Sequence, residues 1–330
     1  MQKRLYETPK KQEKIFKVGV NVECPKVYGG RISLISCSKC PAFKNLEKGK
    51  VTCSYIDEKQ NSIHPKNKLN ELKGNEWLYF TKTVLRTSYP SEYGHKLRKN
   101  HYANKPPQLM EYLIEFFTKS RETILDPFAG VGGTLIGASL CTRKAVGIEI
   151  NQEWVDIYSK VCDLHGIKKQ KMILGDCLDV MAQFRDESIE FDAIITDPPY
   201  SPALEKTLCD GKYGWARRQS NFDTFSENPK DFRNTESFDA YYDKMDEAGE
   251  LMSKIIKAGK YLVVMIRDSY QDKHYIPASF HVATRLEKFF TFKGVKIWHQ
   301  TGAPVRPYGY PFSYVPNIVH HDILIFKKED

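Results

Sequence analysis

Short apolar runs alternate with longer segments of helical periodicity from about residue 101 to the end of the chain. A short apolar run predicts a strand, and apolar residues that recur every three or four positions predict a helix. Strands are predicted at residues 122–128, 144–150, 171–177, 191–197, 260–266, 295–301 and 321–328. Helices are predicted at residues 106–119, 132–141, 151–165, 246–258 and 279–292, and Asn151 is expected to cap the third of these.

This alternation of strands and helices predicts an α/β fold. Strands separated by helices form a mostly parallel sheet whose two faces are covered by the helices. The last two strands, at residues 295–301 and 321–328, have no predicted helix between them. We therefore expect them to form an antiparallel pair at the C-terminal end of the sheet.

The domain organisation follows from where this pattern starts and where it is interrupted. Residues 1–60 carry a cluster of cysteines, residues 61–100 form a polar connector or binding arm, and residues 101–330 form the large α/β domain. Residues 201–243 interrupt the pattern as an inserted target-recognition or flap loop. Cations and aromatic rings alternate in this loop, which suits phosphate contacts and base stacking; they are Lys212, Tyr213, Trp215, Arg217, Arg218, Phe222 and Phe225. A disordered spacer is the alternative interpretation.

Composition adds a preference for polyanionic partners. The chain has 330 residues and a formal net charge of +9, and a positive field of this size favours nucleic acids, although lysine-rich solubility gives the same charge. No apolar run approaches the roughly 18 residues that a membrane span needs. The basic N-terminus is not followed by an apolar stretch, so no secretory signal is expected and the predicted location is cytoplasmic.

Four cysteines near the N-terminus have a spacing that suits a metal. Cys24, Cys37, Cys40 and Cys53 form the pattern C-x12-C-x2-C-x12-C. Four thiolates around one tight C-x2-C turn can close a tetrahedral structural zinc site. The alternatives are unrelated reduced cysteines, or a site in which His64 replaces one ligand. We predict a zinc-binding module at residues 1–60.

A glycine-rich segment, LDPFAGVGGTLIGA, lies where the first predicted strand of the large domain meets the next helix. Ligands of open α/β sheets bind at the carboxyl ends of the strands, so a pocket is expected here. Gly130, Gly132 and Gly133 allow close backbone approach and positive φ. Leu135 stands where a dinucleotide fingerprint needs its third glycine, so this segment does not fit a pyrophosphate.

Three acids follow at the ends of successive strands. Asp126 suits the ammonium or sulfonium side of a cationic ligand. Glu149 lies about 20 residues after the loop, the spacing of an acid that binds ribose hydroxyls. Asp176 can accept from an adenine amine, although Asp126 and Asp176 could each be a helix cap instead. These positions indicate S-adenosylmethionine, and the predicted cofactor-binding residues are Asp126, Pro127, Phe128, Ala129, Gly130, Gly132, Glu149, Ile150, Asp176 and Cys177.

The segments HYANKPPQLMEYLIEFF, DPFAGVGGT, GIEIN, GDC and TDPPYS, in this order, resemble the S-adenosylmethionine-dependent amino-methyltransferases of DNA. That family modifies adenine N6 or cytosine N4. The resemblance covers roughly residues 101–327 and implies a Rossmann-like methyltransferase sheet. It also implies that target recognition lies after the DPPY strand or before residue 101, and that the partner is duplex DNA, with a cognate restriction endonuclease as a further partner.

The DPPY tetrapeptide supplies the predicted catalytic residues Asp197, Pro198, Pro199 and Tyr200. A base amine is a poor nucleophile because its lone pair is conjugated with the ring. If the Asp197 carboxylate and the Pro198 carbonyl each accept one N–H, the nitrogen can become tetrahedral as it attacks a sulfonium methyl group. The prolines hold the turn rigid, and Tyr200 offers a face on which a flipped base can stack.

The first position of the tetrapeptide indicates the target. Aspartate is more usual in the adenine N6 enzymes of this family, and serine in the cytosine N4 enzymes, so adenine in duplex DNA is the prediction. Cytosine N4 and a base of RNA are alternatives within the same chemistry. Methylases of protein glutamine N5 share the fold but carry asparagine at this position, so they are the alternative outside nucleic acids.

Overall fold

The computed structural model describes residues 14–17, 21–23, 31–47, 50–53, 62–99, 101, 104–200, 228–271 and 273–330. The chain divides into two compact units. The N-terminal unit comprises Met1–Lys68 and Leu72–Lys82, and the C-terminal unit comprises Leu69–Glu71 and Thr83–Asp330.

The described residues of the N-terminal unit form short strands and two helices. Its elements are β1 (Lys14–Lys17), β2 (Asn21–Glu23), β3 (Arg31–Ser33), α1 (Leu34–Ser38), β4 (Phe43–Glu47), β5 (Lys50–Cys53) and α2 (Gly74–Phe80). One antiparallel sheet has the order β1-β5-β4, and β2 pairs with β3 in a second. Cys37 and Val51 form a small buried core against which Leu34 and Phe43 pack.

The C-terminal unit contains the α/β domain. Its elements are β6 (Val84–Thr87), α3 (His95–Arg98), α4 (Pro107–Phe117), β7 (Thr123–Asp126), α5 (Gly133–Leu140), β8 (Lys144–Glu149), α6 (Gln152–His165), β9 (Lys171–Leu174), α7 (Cys177–Asp186), β10 (Phe191–Thr196), a 3-10 turn (Phe232–Asn234), α8 (Phe238–Ile255), β11 (Ile256–Ile266), β12 (Ser269–Gln271), β13 (His274–Ile276), α9 (Ala278–Leu286), β14 (Thr291–Gln300) and β15 (His320–Lys327). As predicted, the Asn151 side chain caps α6 by accepting from the backbone N–H of Glu153.

Eight strands form the main sheet, in the order β6-β14-β15-β11-β10-β7-β8-β9. Among these described strands, β15 runs antiparallel to its neighbours β11 and β14, and every other pairing is parallel. The mostly parallel sheet and its antiparallel C-terminal pair are therefore confirmed. All six residues of β10 are buried, which puts this strand at the centre of the core.

The structure differs from the sequence prediction at several element boundaries and in the unpredicted hairpin of β12 and β13, and three further differences change the elements around the cleft or the bounds of the domain. Helix α7 was not predicted, although its buried residues Cys177, Val180, Met181 and Phe184 have helical spacing. Helix α8 begins at Phe238 instead of residue 246, so the predicted loop at 201–243 is already regular structure in its last part.

The third difference is strand β6, which lies inside the predicted connector at 61–100. Because β6 pairs with β14, the C-terminal unit extends back to Thr83 instead of starting at residue 101. Strand β6 is short, lies at the edge of the sheet and is never fully buried, so its residues carry no apolar run that marks a strand.

In the described part of the chain, no helix is both long and apolar enough to span a bilayer.

Candidate active site

A cleft with a volume of about 720 Å³, open mouth included, lies at the carboxyl ends of β7, β8, β9 and β10. This is where open α/β sheets bind ligands. Its lining residues are His101, Pro127, Phe128, Gly130, Ile148, Glu149, Ile150, Trp154, Gly175, Asp176, Cys177, Asp197, Pro198, Pro199, Tyr200, Lys230, Asp231, Phe232 and Arg233.

Glu149 links the glycine loop to the end of β8. Its two carboxylate oxygens accept backbone hydrogen bonds from Gly130 at 2.8 Å and from Asn151 at 2.9 Å. Burial raises the pKa of Glu149 to about 7, against the lowering effect of these two bonds. The backbone of Ile150 also interacts with this carboxylate. A carboxylate has about four acceptor positions, so Glu149 can still accept from a ligand hydroxyl.

The glycines of the loop act in different ways. Gly130 and Gly132 have φ values of 49° and 75°, as predicted, whereas Gly133 is the first residue of α5 and is not among the glycines with positive φ. A Cβ at Gly132 would lie 2.1 Å from Cδ2 of Tyr158. Gly132 is therefore needed for packing against α6, and it does not line the cleft.

Asp126 lies beneath the cleft instead of in its wall. Its Oδ1 accepts from the Thr196 hydroxyl at 2.6 Å and from the backbone N–H of Phe128 at 3.1 Å. Burial raises its pKa to about 6. Asp126, Ala129 and Gly132 are not among the described residues that line the cleft, so a direct contact between Asp126 and a ligand remains a prediction.

Asp176 is the N-cap of α7, as the alternative interpretation of this residue predicts. Its Oδ1 accepts from the backbone N–H groups of Leu178 and Asp179, both at 3.0 Å, and so caps α7. Asp176 also lines the cleft, so a ligand amine can still approach this carboxylate. Cys177 is buried beside it, and burial keeps the pKa of its thiol well above the ordinary value. Cys177 therefore contributes a neutral apolar contact.

The DPPY turn forms one wall of the cleft and is held by two buried residues. Lys105 donates to Asp197 at 2.6 Å and to the Tyr200 hydroxyl at 2.5 Å. The Tyr200 hydroxyl donates to the other carboxylate oxygen of Asp197 at 2.7 Å. The Tyr241 hydroxyl donates to the carbonyl oxygen of Pro199 at 2.5 Å.

Several residues that line or hold the cleft could not be identified from the sequence. Lys105 lies within the segment that precedes α4. The two prolines that follow it predict a helix start, and no local motif indicates a role for Lys105. Lys230, Asp231, Phe232 and Arg233 come from the last part of the predicted loop at 201–243. The rings of Phe128 and Phe232 meet edge to face, with centroids 5.0 Å apart. The basic and aromatic residues predicted between Lys212 and Phe225 lie outside the described residues.

The cleft has the chemistry that S-adenosylmethionine requires. Aromatic rings of Phe128, Trp154 and Phe232 offer apolar faces to an adenine ring. Glu149, Asp176 and Asp231 add carboxylates, which suit ribose hydroxyls, an adenine amine and a cationic amino-acid group. The residues present therefore fit this cofactor.

The cysteines of the N-terminal unit are only partly described. Cys37 and Cys53 are buried and Cys40 is half-buried, while Cys24 lies outside the described residues. The backbone N–H of Cys40 donates to the Cys37 carbonyl at 3.0 Å, which closes a tight turn across the C-x2-C pair. Among the described residues, no group of three or more His, Cys, Asp or Glu side chains could hold a metal. The zinc site stays a prediction.

Comparison with known proteins finds relatives that act on both kinds of nucleic acid. The chain is 36% identical over 95 residues to the tRNA (guanine(10)-N2)-dimethyltransferase of Pyrococcus abyssi, which is 29% of this chain and 28% of that protein. It is 42% identical over 69 residues to the type II methyltransferase M.HindIII of Haemophilus influenzae, or 21% of each chain. It is 32% identical over 102 residues to the DNA adenine methyltransferase YhdJ of Escherichia coli, or 31% of each chain. The matched segments span less than a third of these relatives.

Among solved structures, TrmN from Thermus thermophilus covers 72% of this chain, and the match covers 52% of TrmN, at 10% identity and a TM-score of 0.46. Residues 121–203 match the Methyltransf_15 family, described as RNA cap guanine-N2 methyltransferase. Residues 11–160 match the N6_N4_Mtase family, described as DNA methylase. This match confirms the resemblance of the chain's motifs to the N6 and N4 amino-methyltransferases of DNA.

Proposed function

We propose that this protein is an S-adenosylmethionine-dependent methyltransferase that acts on an exocyclic amine of a nucleic-acid base, with adenine N6 of duplex DNA as the first candidate. The single observation that carries the proposal is the position of the Asp197 carboxylate. It lies on the rigid DPPY turn, in the wall of the same cleft that carries Glu149 and Asp176. An acceptor for an amine and the candidate cofactor residues therefore share one cavity.

The cofactor would be held by the loop and strand ends that line the cleft. Glu149 is assigned to the ribose hydroxyls, Asp176 to the adenine amine, and Phe128 with Phe232 to the apolar faces of the ligand. When bound, S-adenosylmethionine supplies an electrophilic methyl group whose bonding electron pair stays on sulfur as the methyl group leaves.

The chain's own residues prepare the target amine. Asp197 and the Pro198 carbonyl each accept one N–H, which frees the nitrogen lone pair from the ring so that it can form the new N–C bond. The nitrogen then loses one proton, to Asp197 or to water. Pro198 and Pro199 have no N–H and have fixed φ, so the acceptors stay in place. The Tyr200 ring is assigned to stacking against the flipped base.

Support for DNA comes from the N6_N4_Mtase match and from the relatives M.HindIII and YhdJ. The acid at the first position of the tetrapeptide favours adenine within that family. A base of RNA is the second candidate, because the Methyltransf_15 match includes the DPPY residues and a tRNA methyltransferase is among the relatives. Guanine N2 is also an exocyclic amine, so the same acceptors would serve it. Cytosine N4 remains the alternative within DNA.

The loop between β14 and β15 supports a nucleic-acid substrate over a protein. It joins two strands at the edge of the sheet where the cleft opens, because β14 ends there and β15 starts there. Tyr310, Phe312 and Tyr314 are each more than 70% exposed in this loop. Exposed aromatic rings beside Arg306 suit base stacking with a phosphate contact. We call residues 301–319 the aromatic loop.

Duplex DNA is the proposed macromolecular substrate, and a cognate restriction endonuclease is a proposed functional partner. We also propose that Cys24, Cys37, Cys40 and Cys53 bind one structural zinc ion and that this module contacts nucleic acid.

The deciding experiment incubates the protein with labelled S-adenosylmethionine and a mixture of DNA and RNA, followed by mass spectrometry of the nucleosides. Label in N6-methyladenine of DNA is the expected result, and Asp197→Ala is the control that should abolish it. Label in N4-methylcytosine would change the base and keep the mechanism. Label only in RNA would change the substrate, and label only in protein would overturn the proposal.

A further inference from the structure

Lys105 reaches the candidate catalytic carboxylate from outside the DPPY turn. Only 6% of its side chain is exposed, and its ammonium group lies 2.6 Å from Oδ2 of Asp197. The same nitrogen donates to the Tyr200 hydroxyl at 2.5 Å and lies 5.2 Å from the centroid of the Tyr200 ring. A buried cation is thus shared by the two side chains that are assigned to the target base.

The backbone at Lys105 is also fixed. The buried guanidinium of Arg98 donates to the carbonyl oxygen of Lys105. A Cβ added at Gly133 would lie 3.1 Å from that same oxygen, so the cofactor loop packs closely against this point of the chain. With its backbone held on two sides, Lys105 has a defined direction toward Asp197.

An ionised carboxylate is a stronger acceptor for an amine than a neutral carboxyl group is, and the surroundings of Asp197 oppose the ionised form. Burial raises the pKa of the Asp197 carboxyl, whereas the charge and hydrogen bond of Lys105 lower it. The titratable groups that face this cluster from the neighbouring elements are Asp126, Tyr200, Tyr241, Arg267, His320 and His321. His321 packs edge to face on Tyr200, with ring centroids 5.9 Å apart, and burial lowers its pKa to about 2, so it is neutral.

We propose that Lys105 is a positioning residue that keeps Asp197 ionised and oriented before the target base arrives. This inference rests on the proposed function. Lys105 uses Oδ2 and Tyr200 uses Oδ1, and each carboxylate oxygen has a second lone pair, so the amine can bind without displacing either residue. A protonated Asp197 would carry an O–H donor on one oxygen and no negative charge, so it would be a weaker acceptor for the amine.

The test measures the protonation of Asp197 directly. Protein labelled with 13C in the aspartate carboxyl groups is titrated by NMR, and the Asp197 signal is assigned by its loss in Asp197→Asn. In Lys105→Met the midpoint should rise by about 1–3 pH units, the usual effect of an adjacent opposite charge. Lys105→Arg keeps the charge and should stay near the native midpoint. S-adenosylmethionine binding by both variants serves as the check that they fold.

Methyl transfer gives a second reading. The acid limb of the pH profile of kcat/KM should move to higher pH in Lys105→Met by the same amount and return in Lys105→Arg. An Asp197 midpoint that is unchanged in Lys105→Met would overturn the role of Lys105, and so would a native midpoint above pH 7. Neither result would contradict the proposed methyltransferase function. If no variant methylates any nucleic acid but the midpoint still moves, the proposed function fails and the effect of Lys105 on Asp197 stands.

Discussion

The hydroxyl of Tyr241 donates a 2.5 Å hydrogen bond to the carbonyl oxygen of Pro199. Tyr241 is fully buried on α8, whereas Pro199 lies in the turn after β10. Prolines have no N–H, so the DPPY turn cannot hold itself through donors of Pro198 or Pro199. The bond from Tyr241 therefore fixes the turn from a neighbouring helix.

Tyr241→Phe should lower the free energy of unfolding by about 1–3 kcal/mol, because the part-buried Pro199 carbonyl loses its donor. Methyl transfer should fall, while the affinity for S-adenosylmethionine stays near native. Urea unfolding, calorimetry and an activity assay measure the three quantities. Tyr270→Phe is the matched control, since Tyr270 donates to the Lys273 carbonyl at 3.0 Å in an exposed place and should have little effect. Equal effects of the two variants would contradict the anchoring role.

Gly132→Ala tests the packing role of the cofactor loop. Gly132 has φ of 75° and leaves a Cβ only 2.1 Å from Tyr158, whereas Gly166 has φ of 60° and no atom within 4 Å of such a Cβ. Gly166→Ala should cost about 1 kcal/mol from backbone strain alone. Gly132→Ala should cost about 3 kcal/mol, because the clash adds to the strain. Thermal unfolding of the pair measures the difference, and similar costs would show that Tyr158 moves aside freely.

Glu149 should make cofactor binding depend on pH. Its pKa is raised to about 7 in the folded protein, so its contribution to stability is present below the ordinary value near 4.5 and is lost as pH rises toward 7. Ribose hydroxyls donate to the ionised form, so binding of S-adenosylmethionine should tighten as pH rises through about 7 and should release protons. Calorimetry in two buffers with different ionisation enthalpies measures the protons. If Glu149→Gln releases the same number of protons on binding, the protons come from another group.

Zinc binding is checked by elemental analysis of protein washed with chelator. About one zinc ion per chain is expected, bound by Cys24, Cys37, Cys40 and Cys53, and Cys24→Ser should lower that content. Cys141→Ala is the control, because Cys141 is buried on the α/β domain and its thiol bonds to the Gly137 carbonyl. Washed native protein without zinc would show that the four cysteines are unrelated thiols.

The aromatic loop should contribute to nucleic-acid affinity. Phe312→Ala with Tyr314→Ala should weaken binding by about 1–3 kcal/mol for each base that is no longer stacked. Both side chains are more than 85% exposed, so stability should stay near native. Leu164→Ala is the control, since Leu164 is 69% exposed near the end of α6. Titration of a labelled oligonucleotide at two salt concentrations measures the loss, and an unchanged affinity would remove the loop from the interface.

Much of the α/β domain could be predicted because its strands are buried on both faces. Strands β7, β8, β10 and β11 appear in the sequence as apolar runs, and the Gly-rich turn after β7 marks the strand edge that holds the cleft. Strand β6 could not be predicted in this way. It lies at the edge of the sheet and pairs only with β14, so burial puts little constraint on its four residues.

Some residues of the candidate site could be predicted from the sequence, and others could not. Residues that touch the cleft through a short local motif, such as Glu149 and Asp197, were predicted from that motif. Lys105 and Tyr241 were not, because each acts on the DPPY turn from a distant part of the chain. Their partners are brought together only by folding. Asp176 shows the opposite case, in which a local rule, helix capping, gave the contact that the structure contains.

The burial of strand β10 keeps the base of the candidate site from moving unless the whole domain opens. The strand is buried along its whole length and hydrogen-bonded to β7 on one side and β11 on the other. Amide protons in such a strand exchange with solvent mainly when the whole domain opens. The turn that carries Asp197 begins at the end of this strand, so its base is set before any ligand arrives. Ligands should therefore bind against a preformed base, and amide exchange in β10 should stay slow whether or not cofactor and nucleic acid are present.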